Sequence, residues 1–515
     1  MLKTSFLALS LGVSLTFSDA HAKLVQILHT NDTHSFLNNT NHDSEVGGSS
    51  RLKALIDYYK DAAKKEGVST ITLDGGDFLE GNIYYMADKG QKSFNVHNNV
   101  GYDAVALGNH DYLMGAQGLD DILKNTDLNF SFLAANVTSS SKYPNIRDKL
   151  QAYKELEIDG IKIAILGLTT SDFFFSWTLD GSTIESPYKT AQDYEKILKK
   201  RNNDFIIALT HIGVNRDLKL AKKTSNIDLV VGGHSHTTLF EPLYEKNKRD
   251  VKVPVVQAGF HTKYLGRIVV DLEKGKPLKV VSYQLVPVKY NGEDQEVKSL
   301  VEDADHELDK MYGREWLNED VGYSDLKEED KSGSRKWAYF IADALREKAG
   351  TDLAMHVSSM NGENYPIGNI NRRDIMNSIP RVFDMKDTHG WSIYTVKVNG
   401  LLLKTLCETL AHFGQPLSFS GMTLEWVKTP FGPKIGKALI NGKRINIFKD
   451  YTVALTEGIV RGAVEISPKT KVILKNPMKT QFKIWETLEE KIERDIKNIN
   501  KITEANHAFF FPDVD

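Results

Sequence analysis

Along the first half of the chain, short β-branched apolar runs recur, each followed by a polar loop and often by a stretch with helical spacing. The runs fall at 24–28, 68–73, 104–107, 161–168, 205–209, 227–231 and 253–256. Continuous apolar runs of this length predict strands buried on both faces, and their alternation with helical stretches predicts a layered α/β architecture. Leu52, Leu55, Ile56, Tyr59 and Ala63 recur at helical spacing with charged residues between them, which predicts a helix packed on a sheet. Asp159-Gly160 separates two short alternating segments and suits a tight hairpin, so part of the sheet is antiparallel. Further on, Val297, Leu300, Val301, Ala304, Leu308 and Met311 mark an amphipathic helix over 294–312, read as a connector. A mixed α+β region follows, with strands at 392–398 and 451–455 and a last helix at 480–499.

Length changes this picture by requiring at least two domains, since 515 residues exceed one ordinary core. An apolar fraction of 41% and a charged fraction of 26% are those of a folded globular chain. The formal net charge of -3 lacks the basic excess that binding a nucleic-acid polymer requires. At the N-terminus, Lys3 precedes an apolar run over 6–17 and then Ala20-His21-Ala22, the pattern of a signal peptide with a small-x-small cleavage site. Residues 1–22 are therefore expected to be removed, leaving an exported periplasmic or extracellular protein that begins near Lys23. The run is shorter than the ~20 apolar residues of a spanning helix, so no membrane span is expected in the mature chain. Cys407 is the only cysteine, which rules out an intrachain disulfide and leaves a large core or bound metal to stabilise the fold.

The candidate chemistry lies at the ends of the predicted strands. Five polar clusters follow them: Asp32-Thr33-His34, Gly76-Asp77, Gly108-Asn109-His110-Asp111, Thr210-His211 and Gly233-His234-Ser235-His236. Carboxylate, imidazole and amide groups are mixed N/O ligands for divalent ions, and strand ends hold them with little freedom. Each cluster alone is weak, since single histidines are commonly structural; five at strand ends together point to a metal site.

In the order of these D-x-H, G-D, G-N-H-D, T-H-I-G and G-G-H-S-H motifs the chain resembles the 5'-nucleotidase family of calcineurin-like metallophosphoesterases. The resemblance extends into the second half through Thr351-Asp352-Leu353-Ala354 and the strand at 451–455. It implies a layered α/β metallophosphoesterase domain, a β-sheet sandwich flanked by helices, over 23–290. A connecting helix or linker over 291–330 and a C-terminal α+β domain over 331–515, which sets substrate specificity, would follow. It also implies two divalent ions, with manganese, zinc, iron and cobalt all compatible with the ligands. Asp32, His34 and His236 would hold one, Asn109, His211 and His234 the other, and Asp77 would bridge. Such a pair supports in-line hydrolysis by a bridging hydroxide with no covalent intermediate. His110 matches the family histidine beside the transferred phosphoryl group. The carboxylate that orients it in the family, three positions later, is Leu113 here, which leaves the adjacent Asp111 as the candidate catalytic partner.

In the second half the resemblance implies a nucleotide-reading domain, but the family's Asn-Gly-Gly-Gly-Ile-Arg run falls on residues 357–362 and lacks its arginine. Asn361, Phe413, Phe419 and Arg381 are the candidate substrate contacts that remain, with Arg372, Arg373 and Arg461 as further cations for phosphate and Trp391 as a further stacking ring. A bilobed chain of this kind is expected to carry a cleft and a hinge near the connecting helix. The substrate class implied is a small-molecule phosphoester, foremost a nucleotide monoester. Two alternatives stay open: a hydrolase of cyclic nucleotides, nucleotide sugars or another ester class, and a metal-binding module with little turnover.

Overall fold

The computed structural model of the protein describes residues 23–40, 43–172, 177–289, 292–324, 333–362, 366–382, 387–412, 417–430, 432–466, 474–495 and 509–510. Two sheets form the first half. One runs in the order Lys279–Pro287, Tyr264–Leu272, Lys23–Thr30, Ser69–Asp74, Ala104–Ala106, Ser131–Leu133, Leu150–Gln151. The other runs Leu243–Lys246, Lys252–Val256, Leu229–Val231, Phe205–His211, Ile161–Thr169, Tyr153–Ile158. Their central strands are parallel; antiparallel strands close both flanks of the second sheet and one flank of the first, whose other end, Leu150–Gln151, pairs parallel with Ser131–Leu133.

The period-two pleat explains why these strands read as unbroken apolar runs. One set of side chains, including Val25, Ile27, Ile71, Leu73, Ile163, Ile165, Ile207 and Leu209, meets between the sheets. The opposite set faces helices. Leu28 packs in one cluster with Leu52, Leu55 and Ile56 of helix Ser49–Lys65. Ala164, Leu166, Ile206 and Ala208 pack with Ala191 and Leu198 of helix Pro187–Lys200 and with Leu220 and Ala221 of helix Val214–Lys223. The result is a helix–sheet–sheet–helix sandwich. The expected hairpin closes it at one flank, where Ile158 pairs with Ile161 and Asp159 and Gly160 turn at φ of 50° and 81°.

Helix Gln295–Tyr312 begins at Asp294, whose side chain accepts the Val297 N–H at 2.9 Å, and it buries Val297, Val301, Ala304 and Leu308. The second half is built on a sheet ordered Lys475–Lys483, Ser392–Asn399, Asp450–Thr456, Leu353–Val357, Leu417–Ser420, Phe509–Phe510. Its late helix spans Ile484–Asp495 and starts later than the sequence pattern suggests. Thr480 belongs to the preceding strand, which pairs with Ser392–Asn399, and its Oγ1 donates to the Ile393 carbonyl at 2.7 Å. Ladder pairing overrides local helical spacing there. Residues 496–499 of the expected helix, and the expected signal-peptide segment 1–22, lie outside the described residues.

One apolar cluster joins both halves, running from Leu52, Ile83 and Tyr85 through Val301 to Trp337, Ile375, Ile484 and Leu488. Among the described residues no helix is long and apolar enough to cross a membrane. Because Ile165 is fully buried midway between the sheets, Ile165→Ala should lower stability by about 2–5 kcal/mol. The check is urea unfolding followed by circular dichroism, with an unchanged midpoint contradicting the sandwich packing.

Candidate metal centre

The loops that leave strands Lys23–Thr30 and Ser69–Asp74 run side by side. Asp32 N–H donates to the Gly76 carbonyl, His34 N–H to Asp77 and Ser35 N–H to Phe78, each at 2.9 Å. Asp32, His34, Asp77, His234 and His236 all have positive φ, between 50° and 80°. This conformation costs a non-glycine residue of order 1–3 kcal/mol and persists only where the surroundings enforce it. Asp111 supplies much of that enforcement. Its Oδ2 accepts the N–H of Gly108 at 2.7 Å and of Asp77 at 3.1 Å, and its Oδ1 accepts Phe78 N–H at 2.8 Å and Leu79 N–H at 3.1 Å. Gly108 is required beside it, because a Cβ there would overlap Asp77 Oδ1.

Two ligand groups result: Asp32, His34 and His236, and Asp77, His211 and His234, with the donor atoms of each group within 4.8 Å of one another. His34 Nε2 and His236 Nε2 approach to 3.0 Å, and His236 Nε2 lies 3.4 Å from Asp32 Oδ1. Asp77 Oδ2 stands between the groups, 2.9 Å from His211 Nε2 and 3.9 Å from His34 Nε2. Asp77 Oδ1 accepts the backbone N–H of His110 at 2.7 Å. The tautomers suit a cation, because His34 Nδ1 donates to the Glu80 carbonyl at 2.5 Å and His211 Nδ1 to the Gly75 carbonyl at 2.7 Å, turning each Nε2 into the site. Asn109 is fully buried, and among the described residues neither its Oδ1 nor its Nδ2 has a hydrogen-bond partner. A buried amide without partners is costly unless something else satisfies it, so this residue fits a metal ligand.

Electrostatics agree with that fit. Burial opposes the charged forms of Asp32 and Asp77, but the neighbouring imidazoles outweigh it and hold both carboxyls below their ordinary range. Burial and the neighbouring His110 lower His34 to about 4. Burial also acts to lower His211, yet Asp77 and Asp32 overcome this and push it up to about 10.

The expected role of Asp111 changes here. Both of its oxygens hold backbone N–H groups, and the partner of His110 is Glu80, whose Oε2 pairs with His110 Nδ1. The position left by Leu113 is thus filled from another loop. Glu80 is absent from the strand-end pattern, although it is the only carboxylate between Asp77 and Asp88. Asp172 was also missed. Its Oδ2 lies 3.6 Å from His234 Nε2, and Arg216 holds both of its oxygens at 2.7 and 2.9 Å. It belongs to a sixth polar cluster, Thr169-Thr170-Ser171-Asp172, that follows a strand in the manner of the other five.

The candidate substrate contacts scatter. Phe419 is fully buried in the core of the second half and offers no face to a ligand. Asn361 Oδ1 accepts from the buried His356 Nε2 at 2.7 Å. Arg381 is buried with its Nε 3.2 Å from Glu80 Oε1. Arg372 pairs with Glu489 and Glu319, Arg373 with Asp305, and Arg461 with Glu457. Trp391 is buried as well. Phe413 lies outside the described residues.

Residues 25–238 match the model of the calcineurin-like phosphoesterases. Residues 319–469 match that of the 5'-nucleotidase C-terminal domain, so the chain joins a calcineurin-like phosphoesterase domain to a 5'-nucleotidase C-terminal domain. It is 28% identical over 425 residues to the trifunctional nucleotide phosphoesterase protein YfkN of Bacillus subtilis, covering 74% of this chain and 27% of that one. It is 33% identical over 345 residues to the 5'-nucleotidase of Bos taurus, covering 62% of this chain and 58% of the relative. The chain thus spans under two thirds of either relative's length. The fold is similar to that of a 5'-nucleotidase precursor from Thermus thermophilus, with a TM-score of 0.77 and 23% identity over 92% of this chain and 96% of the other. It is also similar to that of the sulfate thiohydrolase SoxB from the same organism, with a TM-score of 0.71 and 16% identity over 93% and 95%. The family uses a pair of divalent ions, and the two ligand groups are candidate sites for them.

This geometry can be tested in two ways. Metal at His211 Nε2 must displace the proton that Asp77 and Asp32 hold there up to about pH 10. Adding manganese or zinc to metal-free protein at pH 7 should therefore release protons, and affinity should climb by up to about tenfold per pH unit below that value. Titration in weakly buffered indicator solution checks this, and binding without proton release would contradict it. Asp77→Asn should retain fewer than two ions after dialysis, measured by elemental analysis, while full retention would show that the shared oxygen is dispensable.

Proposed function

We propose that this protein is a dinuclear-metal phosphoester hydrolase acting foremost on phosphate monoesters of the nucleotide class. The observation that carries the proposal is the position of Asp77 Oδ2, which faces a histidine of each ligand group at once. On this reading Asp32, His34 and His236 hold one ion, Asn109, His211 and His234 the other, and Asp77 both. Two bound divalent ions would activate a water as nucleophile and stabilise charge on the phosphoryl oxygens. The chain's own residues do the rest. His110, its Nδ1 held by Glu80, is the candidate to stabilise the phosphoryl group or protonate the leaving oxygen. Asp111 holds the loops that bring Asp77 and His110 together.

The nucleotide preference rests on the two relatives, a nucleotide phosphoesterase and a 5'-nucleotidase. A second reading, an ester of another class, is favoured by the second half. The arginines at 372, 373, 381 and 461 are each paired with a carboxylate, and Phe419 is in the core. The same fold serves a sulfate thiohydrolase. We take the catalytic unit as 23–290, the connector as 291–330 and the specificity unit as 331–515, in a protein exported by its N-terminal segment.

The test is hydrolysis of adenosine 5'-monophosphate, p-nitrophenyl phosphate and its bis-ester by metal-free protein with manganese or zinc restored. The proposal predicts monoester turnover only with metal, fastest on the nucleotide. Turnover of the bis-ester alone would make the protein a diesterase, and two bound ions without turnover would make it a binding module.

A further inference from the structure

Glu80 touches a histidine of the candidate ligand set, the histidine proposed to face the phosphoryl group, and the second half of the chain. Its backbone carbonyl accepts from His34 Nδ1, its Oε2 pairs with His110 Nδ1, and its Oε1 lies 3.2 Å from Arg381 Nε. The Glu80 side chain is 2% exposed and that of Arg381 10%, so this ion pair is shielded from water. Its geometry is that of a close ion pair and not of an aligned hydrogen bond, since Glu80 Oε1 and Arg381 Nε both lack a hydrogen-bond partner among the described residues. Gly81 follows, and a Cβ there would press on His34, so the loop sits as close to the site as a backbone can.

Arg381 comes from the segment after helix Arg372–Ser378, and a second bond ties the same two segments together. Asn377 Oδ1, on that helix, accepts the N–H of Ile83 at 2.8 Å. Tyr84 next to it donates to Asp305 on helix Gln295–Tyr312 at 2.9 Å, and Arg373 reaches the same oxygen at 3.1 Å. The guanidinium of Arg381 also lies 5.9 Å from the centre of the Trp391 ring, which limits its freedom to swing away.

We infer that Glu80 and Arg381 are positioning residues through which the docked second half sets the orientation of His110. A buried carboxylate facing an imidazole fixes the ring by its charge and direction. Here the carboxylate is itself fixed by a cation from the other half of the chain. When the second half is in place, Arg381 holds Glu80 against His110. When it is displaced, Glu80 loses its ion-pair partner and His110 its fixed orientation, so the specificity unit governs turnover without touching the metals. The inference rests on the proposed role of His110 and goes beyond it.

The test compares Glu80→Gln, Arg381→Ala, Arg381→Lys and His110→Asn in the full mature chain loaded with manganese. The substrates are p-nitrophenyl phosphate, with a good leaving group, and phenyl phosphate, with a poor one. Glu80→Gln and Arg381→Ala should each lower kcat on phenyl phosphate by about 10–100-fold, the range for loss of an orienting partner. KM should change little, the loss on p-nitrophenyl phosphate should be smaller, and both ions should remain bound. Arg381→Lys, which keeps a charge, should recover part of the loss and serves as the folding control. Neither change should add to His110→Asn, because all three act through one group. Three results would overturn the inference. If His110→Asn lowers kcat and the other two do not, His110 works without them and the functional proposal stands. If Arg381→Ala raises KM alone, Arg381 is a substrate contact. If His110→Asn itself has no effect, the inference fails together with the proposed role of His110.

Discussion

The Asp77 carboxylate sets the terms for everything around it. One oxygen must face two imidazoles from different sheets, and the other must accept the backbone N–H of His110. Those demands push the loops into close contact, which is why Gly108 has no room for a side chain and why five of the site residues sit at positive φ. Such backbone would relax if the surroundings were soft. It is held by Asp111 from within the loops and by two sheets from beneath, with Leu73 and Leu209 closing the layer under the strand ends. Four buried backbone bonds to one carboxylate explain why an aspartate next to His110 does not turn towards it.

The second half bears on this arrangement through charge as well as through apolar packing. Arg373, Tyr84 and Asp305 form a junction between the two halves, and Arg381 carries the contact to Glu80. Cations that look available for phosphate when taken one at a time are committed to carboxylates in the fold. Surface ion pairs are worth little, but those of Arg381 and Arg373 are partly or wholly buried, where losing one partner matters more.

Strand positions and the two candidate ligand groups were legible in the amino-acid pattern because one physical cause produces both. Strands covered on two faces read as apolar runs, and parallel strands that end at the same edge bring their following polar residues together. Asp172 follows that rule and could have been found by it. Glu80 and Arg381 could not. Their pairing joins residues 80 and 381, and no local spacing encodes it. The same limit applies to Phe419, since a phenylalanine in a strand reads alike whether its ring faces a ligand or, as here, the core. The start of the last described helix was misplaced because Thr480 is claimed by a neighbouring strand, a non-local pairing.

The central claim is that two ions share the oxygen of Asp77. Electron paramagnetic resonance of the protein loaded with two equivalents of manganese tests it most directly. Ions held about 3.5–4 Å apart by a shared ligand should give the spectrum of a spin-coupled pair. Two independent single-ion signals, or saturation at one equivalent, would contradict the account.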